Sequence, residues 1–131
     1  MNGRAPNSII YDKSERTLTI KWHSESVTLP AELLRIYSPS ADTRKPGEDG
    51  PEFEAGKKNI GIRELTKTGN YAIKITFDDG HQNGIYSWSY LHKLAMNKKE
   101  YWEKYLISLK KAGRSRLPKI AVGQWAPKVA N

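Results

Sequence analysis

The chain predicts a single small α+β domain, a mainly antiparallel β-sheet with two C-terminal helices packed on it. Three observations carry that prediction. Apolar and polar residues alternate over residues 17–22 and again over 71–77, the period of half-buried strands. After Ser87 the spacing becomes helical, with Trp88, Leu91, Leu94 and Ala95 on one side. The 131 residues suffice for one core of two packed layers, and 37% apolar residues with four tryptophans suffice to fill it.

Taken in order, residues 8–12 and 17–22 flank the polar turn Lys13-Ser14-Glu15-Arg16 and form a hairpin, and residues 26–29 add a short strand. Pro30 then opens one or two helical turns through Ile36, standing at the first helical position, where its missing N–H costs nothing. From Tyr37 to Asn59 the pattern dissolves into Ser, Pro, Gly and charge, the longest internal loop. Periodicity returns at residues 59–66, turns at Lys67-Thr68-Gly69-Asn70, and resumes from Tyr71 to Phe77, whose odd positions are all large and apolar. Asp78-Asp79-Gly80 supplies a reversal before Gly84-Ile85-Tyr86 extends again. The Ser87 hydroxyl is placed to cap the first C-terminal helix. Asn97, with Glu100 three residues on, reads as the cap of the second, in which Tyr101, Trp102, Tyr105, Leu106 and Leu109 share a face. Gly113 ends it. The expected organisation is therefore a flexible N-terminus at 1–7, a domain at 8–113 and a basic mobile tail at 114–131.

Composition excludes several classes of chemistry. With no cysteine, the chain has no thiolate nucleophile, no disulfide and no iron–sulfur or Cys-type zinc ligation of its own. There is no phosphate-binding glycine loop and no G-x-S-x-G nucleophile motif. No apolar run is long enough to span a bilayer and the first residues lack a secretory signal, so we expect a cytoplasmic protein without membrane contact. The net charge of +8 is unevenly placed. Acidic and basic residues balance over 1–90, and the whole excess lies in 91–131. Such asymmetry points to an anionic partner or to a solvated lysine-rich face.

The most specific stretch runs Asp79-Gly80-His81-Gln82-Asn83-Gly84-Ile85-Tyr86-Ser87-Trp88-Ser89-Tyr90-Leu91. Together with the segment from Leu29 to Asp42, it resembles the DUF971 domain, also called the gamma-butyrobetaine hydroxylase-like N-terminal domain, over about residues 9–109. In the hydroxylases that carry this domain, the equivalent first segment holds three cysteines that bind zinc with a histidine from the second. The resemblance places those positions on Ser38, Ser40, Thr43 and His81. Hydroxyls neither neutralise zinc nor ionise readily at neutral pH, so we expect a vestigial site with no metal and no cofactor.

The resemblance also implies an accessory role, because related domains are appended to hydroxylases and to P-loop iron–sulfur carrier proteins of the Mrp type. The expected function is a non-catalytic protein-interaction module, monomeric, associated with metalloenzymes or iron–sulfur proteins, its partner unidentified. Its expected binding surface comprises Ser38, Ser40, Asp42, Thr43, Asp79, His81, Tyr86, Trp88 and Tyr90. Two other readings stay open. One is nucleic-acid binding through Lys98, Lys99, Lys104, Lys110, Lys111, Arg114, Arg116 and Lys119, which would weaken steeply with salt. The other is a small ligand or metal near His81, where the neighbouring carboxylates supply the ingredients of acid–base chemistry.

Overall fold

The computed structural model describes residues 4–39, 53–81 and 84–118. The elements follow in the order β1 (Ser8–Asp12), β2 (Thr17–Trp22), β3 (Glu25–Pro30), α1 (Ala31–Ile36), β4 (Ile62–Thr68), β5 (Ala72–Phe77), β6 (Gly84–Ser87), α2 (Trp88–Met96) and α3 (Lys98–Lys111). All strand pairs are antiparallel, but they form two three-stranded sheets, β1-β2-β3 and β4-β5-β6, rather than one. Each half of the chain pairs its own consecutive strands. The sheets meet where the Ile62 amide donates to the Tyr11 hydroxyl at 2.9 Å.

Strand alternation puts Leu18, Ile20 and Trp22 of β2 and Ile73, Ile75 and Phe77 of β5 into one core with Leu29, Leu33, Leu34, Tyr86, Trp88, Leu91 and Leu94. Tyr71, expected to continue the β5 pattern, lies before the strand and is exposed, while its carbonyl accepts from the Trp88 amide. In the first hairpin, Asp12 Oδ1 accepts from the Ser14 and Glu15 amides and the Ser14 hydroxyl, closing the turn that Arg16 completes at φ 56°.

The helix boundaries follow from local chemistry, with two changes from expectation. Pro30 is the N-cap of α1, not its first helical residue, and extended φ/ψ angles of −65° and 145° carry β3 straight into the helix. Ser87 caps α2 as expected, its Oγ accepting from the Tyr90 amide at 3.1 Å. Asn97 stands at the N-cap position of α3 as expected, but its side chain makes no cap bond there and turns back to donate to the Lys93 carbonyl at the end of α2. On α3, Tyr105 and Leu109 are buried, whereas Leu106, expected on the same face, is exposed. Gly113, at φ 68°, ends the helix with paired bonds from its own amide to Lys110 and from the Arg114 amide to Leu109.

Beyond α3 the chain stays bonded to the domain through Ser115 and Arg116, within the segment expected to be a tail from 114, while Leu117 and Pro118 are exposed. The Gly56 and Lys58 amides donate to the carbonyls of Ser115 and Arg116. The Arg116 guanidinium lies 4.9 Å from the centre of the Trp102 ring and makes a two-pronged bond to the buried carboxylate of Glu32, at 2.7 and 2.6 Å. The buried Tyr105 hydroxyl donates to the same carboxylate at 2.6 Å. Among the described residues no helix is long and apolar enough to cross a membrane.

This clamp yields a stability prediction. Arg116→Ala strips a buried carboxylate of its countercharge and is expected to cost about 2–3 kcal/mol, below the cost of a fully buried pair because the arginine is partly exposed. Arg116→Lys should recover less than half, since an ammonium cannot reproduce the planar fork. Urea denaturation of the three proteins measures both, and equal stability would show that the clamp is dispensable.

Candidate functional site

The site grows from the C-terminal end of α1. Ser38 follows that helix, its amide bonded to the Arg35 carbonyl, and is buried. Its Oγ stands 2.9 Å from Nε2 of His81, a residue distant in sequence. His81 is held by its backbone: its carbonyl accepts from Phe77, and its amide donates to Asp79 Oδ1 at 3.0 Å. Gly80, at φ 93°, lets the chain turn between them. Gly84 is required for a different reason. A Cβ there would come within 2.8 Å of the Tyr86 ring and 3.1 Å of Ser38 Oγ, so β6 passes too close to admit a side chain.

Asp79 anchors the turn. Its Oδ2 accepts from Arg35 Nε at 3.0 Å and from Lys57 Nζ at 2.7 Å, while Arg35 Nη2 reaches Glu54 at 3.1 Å. Burial opposes the charge on Asp79. The hydrogen bonds from Lys57 and the His81 amide, with Arg35 beside them, outweigh burial and hold the carboxyl down at about 2 against an ordinary 3.8. Burial, reinforced by Arg35, pushes His81 below its ordinary value in spite of the opposing pull of Asp79 and Glu54, so its imidazole is neutral at pH 7.

The expected aromatic surface divides. Tyr86 and Trp88 are both buried and offer no ring to a partner, which corrects their assignment to the binding surface. Tyr86 donates to the Leu34 carbonyl at 2.5 Å, and Trp88 Nε1 donates to the Asn70 carbonyl at 2.8 Å. They are core because β6 turns directly into α2, and both elements face the same interior. Tyr90 alone is half-buried, its hydroxyl donating to the Tyr37 carbonyl at 2.5 Å and its phenol pushed up to about 12 by burial. Ser40, Asp42 and Thr43 lie outside the described residues, as does Lys119.

The expected basic patch is also partly redirected. Arg116 is committed to Glu32, and Lys98 Nζ donates to the Thr28 carbonyl at 2.6 Å. Lys99, Lys104, Lys110, Lys111 and Arg114 remain exposed on and after α3. Arg35, Glu54 and Lys57 were missed as site residues. Arg35 carried a signal, since a charged residue within Ala31-Glu32-Leu33-Leu34-Arg35-Ile36 must be paired if that short helix is buried.

The family to which these segments point can now be tested. The family described as gamma-butyrobetaine hydroxylase-like, N-terminal, matches residues 9–92. The chain belongs to this family. Two NMR solution structures resemble it closely. One is 41% identical, covering 93% of this chain and 97% of its own, at a TM-score of 0.76. The other is 38% identical, covering 95% and 94%, at 0.74. A crystal structure at 1.93 Å of a DUF971-family protein of unknown function from Acidithiobacillus ferrooxidans is 27% identical over 72% of this chain and 97% of its own, at 0.61. No curated protein matches.

In this family member the donors do not fit zinc. Ser38 and His81 come together, but as a hydroxyl hydrogen-bonded to an imidazole, and among the described residues no three His, Cys, Asp or Glu side chains gather as a metal-binding group. A neutral histidine beside a serine has the outline of a base and nucleophile. Here the serine is buried, and Pro39 follows it without the N–H that commonly stabilises an oxyanion after a nucleophile.

Two predictions test these assignments. Asp79→Asn should cost about 2 kcal/mol at neutral pH. Because the folded carboxyl titrates below the unfolded one, that contribution is complete above about pH 4 and is lost as pH falls toward about 2. Urea melts across that range should therefore converge, and a deficit independent of pH would contradict the ion-pair origin. For the ligand positions, Ser38→Cys/Ser40→Cys/Thr43→Cys is expected to bind about one zinc per chain, with the wild type binding none under the same conditions. A colorimetric zinc assay after desalting reads both, and a metal-free triple variant would break the correspondence with the zinc-binding hydroxylases.

Proposed function

We propose that this chain is a non-catalytic interaction module that docks onto a protein partner, in the setting of metalloenzymes or iron–sulfur proteins, through the surface around His81 and Tyr90. The observation that carries this reading is that the polar side chains around the His81 turn engage one another, Nη1 of Arg35 alone among the described buried side-chain nitrogens and oxygens standing without a hydrogen-bond partner. His81 engages Ser38, and Asp79 engages Lys57 and Arg35, so the arrangement serves as a rigid, shaped surface rather than as reactive chemistry. The family resemblance adds that such domains occur joined to metalloenzymes.

Affinity purification of the tagged protein from its own cells tests the reading. A stoichiometric partner should be retained by the wild type and by Lys110→Ala/Lys111→Ala, and be depleted about tenfold or more by His81→Ala, a hot-spot loss. A wild type that emerges alone, or a partner indifferent to His81→Ala, would overturn it.

A further inference from the structure

We infer that the pocket between the end of α1 and the middle of α3 receives an aromatic side chain flanked by Asp or Glu, presented by the protein partner. This rests on the interaction-module reading and names the chemistry the partner must supply. The pocket measures about 240 Å³ and is lined by Ile36, Tyr37, Phe53 and Tyr90 together with Ser38, Pro39 and Lys104. Sites for cofactors and drug-sized molecules occupy about 300–1,000 Å³, so this one is scaled to a single side-chain anchor.

Its walls are preorganised. The Tyr37 hydroxyl donates to the Tyr101 carbonyl at 2.9 Å, Tyr90 donates to Tyr37, and the Tyr37 ring sits 5.0 Å from those of Phe53 and Tyr101. Side chains locked in this way lose little entropy when an anchor enters. The pocket also selects against a nucleobase. The two tyrosine hydroxyls donate to backbone carbonyls and Ser38 Oγ is bonded to His81, so the walls leave few donors to read a base edge.

Charge decides the rest. Lys104 is exposed, and among the described residues it pairs with no carboxylate, although Glu100 and Glu103 are its neighbours on α3. It belongs to the segment that carries the chain's whole excess of +8. An apolar slot beside an unpaired ammonium is complementary to a ring beside a carboxylate, and to neither group alone.

Indole-3-acetate is a probe with that chemistry, and indole-3-acetamide is its neutral counterpart. In a titration followed by amide NMR, the acid should shift Ile36, Tyr37, Ser38 and Tyr90 and bind about three- to fivefold more tightly than the amide, the range of an exposed ion pair. Lys104→Met should abolish that preference while leaving amide binding unchanged, and its spectrum reports whether the fold is intact. Equal binding of acid and amide, shifts located elsewhere, or tighter binding of adenosine monophosphate would each overturn the proposal. These outcomes are independent of the purification experiment, so a pocket that fails and a partner that is never found are distinguishable.

Discussion

Burial of α1 is the constraint on which the rest of the structure depends. All six residues of this helix are buried, and two of them, Glu32 and Arg35, are charged. Opposite charges three positions apart on a helix can pair with each other, but here each takes its countercharge from outside, with Nη1 of Arg35 left buried without a hydrogen-bond partner. Glu32 takes Arg116 and Tyr105, while Arg35 takes Asp79 and Glu54. A buried charge left without its partner costs several kcal/mol. The helix therefore recruits α3 and the segment after it on one side, and the turn between β5 and β6 on the other. A helix of six residues has little stability of its own. The contacts that neutralise it also hold the fold together.

The candidate site inherits its geometry from this arrangement. Arg35 fixes Asp79, Asp79 fixes the amide of His81, and the imidazole then meets the hydroxyl of Ser38 at the end of the same helix. Ser38 and His81, two of the positions that the family resemblance matches to zinc ligands, are held together here by these bonds and by the close passage of Gly84.

Most of the elements were legible in the sequence, because periodicity reports which face of a strand or helix is buried. Leu18, Ile20 and Trp22, or Ile73, Ile75 and Phe77, say so directly. What was not legible depended on long-range partners. Arg116 has the composition of a tail residue, and only its meeting with the buried Glu32 ties it to the fold. Asn97 had two helices to choose between and closed the preceding one. Tyr86 falls where strand becomes helix, so neither period assigns it a face, whereas Trp88 shares the helical spacing of Leu91 and Leu94; both are buried because β6 and α2 turn toward one interior. The division into two sheets had the same origin, since antiparallel patterning specifies hairpins but not which hairpins share an edge. For the site, the meeting of Ser38 with His81 followed from the family correspondence, whereas the supporting Arg35, Glu54 and Lys57 required the fold.

The charge asymmetry acquires a different meaning once these contacts are known. Read along the chain, the basic C-terminal segment suggests a continuous polyanion-binding strip. In space that strip is interrupted: Arg116 faces inward to Glu32, Lys98 is bonded to the Thr28 carbonyl, and α3 spends Tyr105 and Leu109 on the core. A polyanion gains from many similar cations in register, since each phosphate neutralised adds to affinity. A protein surface gains from a few charges set beside shaped apolar area. Lys104 beside the ring-lined pocket is of the second kind.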